Sequence, residues 1–465
     1  MDILLTHGYY LYEDPHELAV MRPYPPLGIL YLSAHLKARG FDAQVWDSTF
    51  RSGEAFREFL ARERPPVVGI YTNMMTRRNV LKMIRACKEN GALVVLGGPE
   101  PANYAEEYLT RGADVVVIGE GELTLEELLP HLARFRAAKL GPIQGIAYRD
   151  DEDGKVVQTA PRPYIADLDA QPFPDRAAIS IPDYIKVWRE NHGQGAVSLI
   201  TARGCAYKCT WCSHAVYGYT HRRRSPQNVV AEVEQILETY QPDLLWYADD
   251  VFTVHHRWLD SYADELKRRG IRIPFETISR EDRLNEQVVR MLAEMGCYRI
   301  WVGAESGSQR ILDAMKRRTD AKRVTEVVHL LQRYGIDAGM FIMLGYDGEE
   351  LSDLQDTVDI LKEASPNVFL TTVAYPIKNT PYYHQVADKV IARKAWEEGS
   401  DRDLTVAGRH SPRFYSYATR WMVNEVAWHK QLRSGERDLP RMAKSFVNAK
   451  IGRVGMMLSQ REVEG

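Results

Sequence analysis

Cysteine is scarce, with five in 465 residues. Cys87 and Cys297 stand alone, while Cys205, Cys209 and Cys212 crowd into one short stretch. That usage excludes a disulfide framework and fits metal binding in a reducing cytosol. An excess of one charge is missing as well. The formal net charge is −3, which gives no global basic field, so no nucleic-acid partner is expected. Two local basic runs, Arg222-Arg223-Arg224 and Lys316-Arg317-Arg318, read as solvated starts or ends of helices. No apolar run approaches the roughly 18 residues of a membrane span, and MDILLTHGYY has no basic leader before an apolar stretch, as a signal peptide would. What is present, 45% hydrophobic and 26% charged residues, suits a folded chain long enough for two or three domains.

Residues 1–140 alternate short apolar runs with helical patterns. Strands are expected at Ile3–Thr6, Ala43–Asp47, Val67–Tyr71, Leu93–Leu96 and Val115–Ile118. The helix from Pro26 places Leu27, Leu30, Tyr31, Ala34 and Leu36 largely on one face, with Gly40 as its stop. Five strands alternating with helices predict an α/β, doubly wound parallel sheet, whose ligands sit at the carboxyl ends of the strands. The rhythm breaks over 141–195. A hairpin is expected at Tyr148–Gln158, then an extended connector marked by Pro161, Pro163, Pro172 and Pro174.

A second series fills 196–375. Its strands are expected at Val197–Ile200, Leu244–Ala248, Pro274–Ile278, Arg299–Gly303, Gly339–Leu344 and Val368–Ala374. Val229, Val230, Val233, Ile236, Leu237 and Tyr240 form the stripe of the helix between the first two. Six strand–helix units predict an incomplete (β/α)6 barrel with its chemistry at the carboxyl ends of the strands. Residues 376–465 read as mainly helical. There Tyr415, Trp421, Trp428 and His429 could line a substrate pocket, but aromatics at such spacing more often pack helix on helix.

The strongest signal is TARGCAYKCTWCSH (201–214), directly after the strand Val197–Ile200. Three thiolates at C-x3-C-x2-C can each bind a different iron of a 4Fe–4S cubane. The fourth iron then stays open, as a catalytic metal site requires. The competing reading is a zinc site with His214 or a distant residue as fourth ligand. Cys87 and Cys297 read as inert buried thiols.

C-x3-C-x-aromatic-C at the end of the first strand of a β/α series resembles the defining motif of the radical S-adenosylmethionine (SAM) superfamily. The resemblance implies that Cys205, Cys209 and Cys212 hold a 4Fe–4S cluster whose open iron binds SAM. Cleavage of SAM then yields a 5′-deoxyadenosyl radical that abstracts hydrogen from a small-molecule substrate. It further implies that Trp211 packs the adenine and that Asp249 and Asp250, in WYADDVFT, receive the SAM ammonium. Arg280, in ISREDRL, would meet the SAM carboxylate. Glu305 and Ser306, in VGAESGSQ, would reach the ribose or carboxylate, and Leu344, in FIMLGYDGEE, the adenine side. A low-potential donor such as flavodoxin or ferredoxin is implied as partner.

The first domain extends the likeness. PPLGILYLSAHLKARGFDAQVWD (25–47), VVLGGPEP (94–101) and DVVVIGEGE (114–122) resemble the cobalamin-binding domain ahead of one radical SAM class. That class includes corrinoid-dependent methyltransferases and the anaerobic cyclase of magnesium-protoporphyrin monomethyl ester. Gly97 and Gly98 would admit the cobalamin nucleotide tail, Thr72 and Asn73 would face the same ligand, and Gly119, Glu120 and Gly121 would close the crevice. Many free-standing cobalamin domains carry D-x-H-x-x-G after strand one. Here Asp14-Pro15-His16 is followed by Ala19 at the glycine position, so His16 is expected to be a surface histidine. The leading expectation is a cobalamin-using radical SAM enzyme that methylates or cyclises an unactivated carbon. The alternatives are a radical SAM oxidoreductase or rearrangement enzyme without bound corrinoid, and a zinc-stabilised SAM-binding sensor.

Overall fold

Along Ile3–His7 successive side chains leave opposite faces of the strand, so Ile3 and Leu5 enter one core and Leu4 another. A sheet that buries both faces needs helices on both, and the first sheet has them. In the computed structural model, which describes residues 1–132, 140–150, 153–435 and 437–465, the chain forms two units. Unit one comprises 1–206, 213–248 and 395–400, and unit two 207–212, 249–394 and 401–465.

Unit one is built on β1 (Ile3–His7), β2 (Ala43–Trp46), β3 (Val67–Tyr71), β4 (Leu93–Gly97) and β5 (Val115–Val117), all parallel, in the order β2-β1-β3-β4-β5. The order reverses between β1 and β3, which is where a doubly wound sheet opens a ligand crevice at its carboxyl edge. The expected hairpin forms, as β6 (Ile146–Arg149) and β7 (Val156–Gln158); Asp151 and Glu152 of its turn lie outside the described residues. It does not stand apart as connector, however. β6 pairs antiparallel with β5 and extends the first sheet, because the apolar Ile146 and Ala147 complete its core. The connector also contains a helix, Ile181–His192, which the prolines masked: Pro182 sits in its first turn, where no N–H is needed.

Short buried networks tie the carboxyl ends of β1 and β2. His7 Nε2 lies 3.0 Å from Asp47, Ser48 Oγ donates to the His7 carbonyl at 2.6 Å, and the Tyr184 hydroxyl reaches Asp47 at 2.9 Å and Thr49 at 2.7 Å. His16 lies on an exposed turn of helix, Pro15–Val20, capped by Asp14, whose Oδ1 accepts the His16 N–H at 2.8 Å. The segment 395–400 also belongs to this unit. Trp396 packs on Tyr104 and Tyr108, with the Arg77 and Arg111 guanidinium groups 4.7 and 4.8 Å from its ring.

Unit one also holds the first strands of the second series, β8 (Ala196–Leu199) and, after the short antiparallel pair β9 (Ala202–Arg203) and β10 (Arg222–Arg223), the strand β11 (Leu244–Tyr247), which pairs in parallel with β8. Unit two supplies β12 (Phe275–Ser279), β13 (Cys297–Glu305), β14 (Asp337–Leu344) and β15 (Val368–Val373), each parallel to the next. Helices His256–Arg268, Glu286–Met295, Ala321–Arg333 and Leu351–Ala364 alternate with them. Each unit thus carries part of the parallel β/α series read from the sequence. β13 runs further than its apolar pattern and ends in a register shift at Gly303/Glu305.

After β15 comes an element with no sequence signal, an antiparallel pair of β16 (Val390–Ala392) and β17 (Leu404–Val406). Two long helices follow, Pro412–Arg433 and Leu439–Ser459. They approach closely at Gly452, where a Cβ would stand 2.4 Å from the Trp421 backbone nitrogen. Trp421 and Trp428 are helix-packing residues, the latter against Phe446 with ring centroids 5.0 Å apart.

Candidate functional site

The cysteine loop leaves β9, so what fixes β9 fixes the loop's start. Arg203, buried, donates to Glu120 at 2.7 Å and to Glu122 at 2.6 Å, and Arg222 donates to the other Glu120 oxygen at 2.8 Å. That same oxygen accepts the Ile165 N–H at 2.8 Å. Tyr31 and Tyr217 flank the Arg203 guanidinium at 5.2 and 5.8 Å. Glu120, placed by the sequence at a cofactor crevice, therefore has both oxygens committed to arginines, and its role here is to hold the strand from which Cys205 emerges. The Arg222–Arg224 run is likewise not a solvated helix start. Arg224 is buried against Glu232, a fully buried carboxylate that also takes Arg176 at 2.6 Å. A buried carboxylate needs such partners, because an unpaired buried charge is strongly destabilising.

In unit two the loop is anchored residue by residue. Thr210 N–H donates to the Met315 carbonyl at 3.1 Å, its hydroxyl meets that of Tyr346 at 2.7 Å, and its carbonyl accepts the Tyr382 N–H at 2.9 Å. Trp211 packs on the apolar cluster that contains Met315, Met343 and Tyr346. Cys209 is buried and Cys212 exposed, with Cys212 N–H donating to the Cys209 carbonyl at 3.3 Å; none of the five cysteines is in a disulfide. Burial raises the Cys209 thiol, and Arg280 beside it pulls the other way.

Arg280 follows β12. Its guanidinium stacks 4.0 Å from the Tyr207 ring, and Asp282 holds Nε at 2.9 Å. Nη2 donates to the Arg317 carbonyl at 3.0 Å, while Nη1 is buried with no hydrogen-bond partner. Glu305 ends β13 in the left-handed region, φ 63°, a strained conformation for a side chain of this size. Burial, with the Glu281 carboxylate adding to it, pushes its carboxyl up to about 8. Asp249, buried, and Asp250, solvent-accessible but ringed by protein, follow β11, and burial and Asp249 raise the Asp250 carboxyl. Leu344, fully buried, ends β14. Ser306 is different. Its hydroxyl accepts the Ser308 N–H at 3.2 Å and faces Thr357 at 3.3 Å, so it secures the turn after β13.

These side chains suit a zwitterionic ligand beside an iron–sulfur cluster. The donors are three thiols on one loop, an unpartnered buried guanidinium N–H for a carboxylate, and a pair of aspartates for an ammonium. Among the described residues no three His, Cys, Asp or Glu side chains form a site for a single metal ion; a cubane takes one thiolate per iron and spreads its ligands.

At the carboxyl edge of the first sheet, Thr72 is fully buried and its N–H donates to the Gly97 carbonyl at 2.8 Å. Gly98 has φ 108°, and a Cβ there would stand 2.4 Å from the Thr72 carbonyl oxygen, so the neighbouring loop already requires glycine at this position. Beside Gly97 the nearest atom to an added Cβ is 4.0 Å away. The Asn73 amide oxygen caps the Met75 N–H at 3.0 Å. Gly119 follows β5, and Gly121 abuts Leu32. An edge this poor in side chains fits a broad cofactor such as cobalamin.

A model of the radical SAM superfamily matches residues 199–361, and one of the B12 binding domain matches residues 19–129. The chain is a radical SAM enzyme with a B12-binding domain. Its cofactors are therefore a 4Fe–4S cluster, SAM and cobalamin. An uncharacterised methyltransferase of Pyrococcus horikoshii is 27% identical over 83% of this chain and 84% of its own length. The anaerobic magnesium-protoporphyrin IX monomethyl ester cyclase of Rubrivivax gelatinosus is 25% identical over 84% of this chain and 71% of its own. Among solved structures, the cobalamin-dependent SAM radical enzyme OxsB, with aqua-cobalamin and SAM bound, superposes with a TM-score of 0.76 at 17% identity, covering 98% of this chain and 72% of that one. At that identity the likeness is one of fold.

Several residues of this radical SAM enzyme escaped the sequence reading. Tyr207 lies inside the cysteine motif, a position that itself was a signal. Arg317 belongs to a run that looked solvated. Lys316 and Arg318 both take left-handed backbone, φ 51° and 54°, which turns Arg317 inward to donate to the Gly303 carbonyl at 2.6 Å. Glu349 follows β14; one oxygen accepts the Gly345 N–H at 2.6 Å and the other is buried without a partner. Burial, with Asp353 adding to it, pushes the Glu349 carboxyl up to about 8.

The Glu349 shift has a signed consequence. Between the unfolded carboxylate value near 4.5 and about 8 the folded chain keeps a proton that the unfolded chain releases. Stability therefore falls as pH rises through that window and levels off above it. Glu349→Gln, which keeps the acceptor without the titration, is expected to raise the thermal midpoint most above pH 8, with the gain shrinking toward pH 5. Parallel melting curves for the two proteins from pH 5 to 9 would refute the assignment.

Proposed function

We propose that this radical SAM enzyme methylates, or closes a ring on, an unactivated carbon of a small-molecule substrate, with cobalamin as its second cofactor. The observation that carries the reading is the Arg280 guanidinium beside Cys209, fixed on three sides and left with an unpartnered N–H on the fourth. The names of the relatives, a methyltransferase and a cyclase, supply the two reaction types.

When bound, the reduced cluster and SAM supply radical chemistry that reaches unactivated C–H bonds, and cobalamin supplies a methyl carrier. Cys205, Cys209 and Cys212 would hold three irons and leave the fourth open. Arg280 would orient the SAM carboxylate, Asp249 and Asp250 its ammonium, and Trp211 and Leu344 its adenine. Glu305 would take a ribose hydroxyl or the carboxylate side, with Ser306 holding its turn. Thr72, Asn73, Gly97, Gly98, Gly119 and Gly121 would border cobalamin. Fixing the reactants in this way, and excluding water, is the protein's share of the rate. A low-potential carrier, flavodoxin or ferredoxin, would deliver the electron.

The test is anaerobic reconstitution with iron, sulfide and excess hydroxocobalamin, followed by desalting and SAM-cleavage assay. Near-stoichiometric retention of cobalamin together with 5′-deoxyadenosine or methyl-transfer products is expected. SAM cleavage without cobalamin retention would instead favour a radical SAM oxidoreductase or rearrangement enzyme. A colourless zinc protein that cleaves no SAM would overturn the reading.

A further inference from the structure

The last long helix, Leu439–Ser459, is built the wrong way round for a helix that only packs on its own chain. Its buried residues are Ser445, Ala449, Gly452, Met456 and Ser459, four of them small. Met456 apart, its most apolar large residues point outward. Val447, Ile451, Val454 and Leu458 are all exposed, Leu458 by 77% and Val454 by 55%. Spaced four, three and four apart, they fall on one narrow stripe of a helix with about 3.6 residues per turn. Leu439, 71% exposed, and Met457, 61% exposed, widen the stripe on one side.

The charges are as one-sided as the apolar residues. The helix contains Arg441, Lys444, Lys450 and Arg453 and not one aspartate or glutamate. By the same helical period, Lys444 and Arg441 lie on one flank of the stripe and Lys450 and Arg453 on the other. Exposed apolar bands of this kind mark interaction surfaces. A stripe flanked by cations on both sides is the pattern of a helix lying in a membrane interface, with side chains sunk at the acyl boundary and cations among the headgroups. No helix among the described residues is long and apolar enough to cross a membrane, so the contact is with a surface.

We infer that Leu439–Ser459 docks the enzyme on an anionic lipid surface. A second copy of the chain is the poorer partner. Pairing two such stripes about a two-fold axis would bring cationic flanks together with no acidic residue of either helix to offset them. An anionic bilayer answers both flanks at once.

The experiment is flotation of the full-length protein with vesicles of phosphatidylcholine alone or in equal parts with phosphatidylglycerol, across a salt series. Binding is expected to the anionic vesicles only, and to weaken as salt screens it. Lys444→Glu with Lys450→Glu should lower the partition coefficient at least about thirtyfold, at the roughly fivefold that each surface cation contributes. Ile451→Asp with Val454→Asp should abolish binding while leaving the thermal midpoint and SAM cleavage unchanged, since both side chains face outward. Failure to float with anionic vesicles would overturn the proposal. So would equal flotation with phosphatidylcholine alone. Light scattering that finds a dimer, dissociated by Ile451→Asp in a protein that ignores vesicles, would assign the stripe to self-association instead.

Discussion

Cys209→Ala is expected to lose one iron of the cluster and, with it, SAM cleavage. Cys209 is the buried cysteine of the three, set beside Arg280 and held by the Thr210 anchors to Met315, Tyr346 and Tyr382. Its backbone is thus fixed. The fall in 5′-deoxyadenosine formation should exceed about a hundredfold, since even outer-shell partners of metal ligands act on that scale. Iron per chain and the cluster's visible absorption should fall together. Cys87→Ala and Cys297→Ala are the controls: both thiols are buried, and burial pushes Cys87 up to about 12 and raises Cys297 too. Neither change should alter iron content or cleavage by the folded protein. Cleavage at the parent's rate in Cys209→Ala would mean that the cluster lies elsewhere.

The second large effect concerns stability. Glu120→Ala would leave Arg222 without its carboxylate and Arg203 with Glu122 alone, in a site closed by Tyr31 and Tyr217. Breaking a buried pair from one side costs about 3–5 kcal/mol. In a chain of this size that lowers the thermal midpoint by roughly 3–5 °C. Glu120→Gln keeps an acceptor for the Ile165 N–H and should recover part of the loss. Because β9 runs directly into Gly204 and Cys205, iron occupancy should fall in Glu120→Ala as well. If Glu120 were instead a cofactor contact, the variant would melt at the parent's temperature and lose only cobalamin retention. The melting temperature of the cofactor-free proteins separates the two.

The sequence made legible whatever repeats or clusters. Apolar alternation gave the strands of both series to within a residue or two at most ends, and the cysteine spacing marked the candidate site. Arg280, Glu305 and Leu344 were visible because each closes a strand, where β/α folds place their ligands. Long-range pairings were not legible. Nothing near Glu120 in the chain announces Arg203 and Arg222, about a hundred residues away, and basic runs look solvated until their carboxylates are found. Gly98 illustrates a subtler limit. The glycine was visible, but its cause is backbone conformation and the Thr72 carbonyl rather than the room a cofactor needs. The hairpin read at Tyr148–Gln158 forms, with its first strand starting earlier at Ile146, yet only pairing with β5 shows that it finishes the first sheet. Helix Leu439–Ser459 hid its meaning because composition does not reveal which side of a helix meets its neighbour.

The ring of Trp396 among Tyr104, Tyr108, Arg77 and Arg111 bears on how this enzyme can be taken apart. Unit one is assembled from three separate stretches of chain, the last only six residues long, and unit two from three others. No single truncation of the gene yields either one whole. A corrinoid-binding fragment ending near residue 200 would lack both the 213–248 stretch and its tryptophan clasp, and would expose the aromatic bed that the clasp covers. Chimeras that exchange front ends between relatives would need to carry all three stretches, so in this architecture the unit of modular exchange is the interlaced set rather than a contiguous domain.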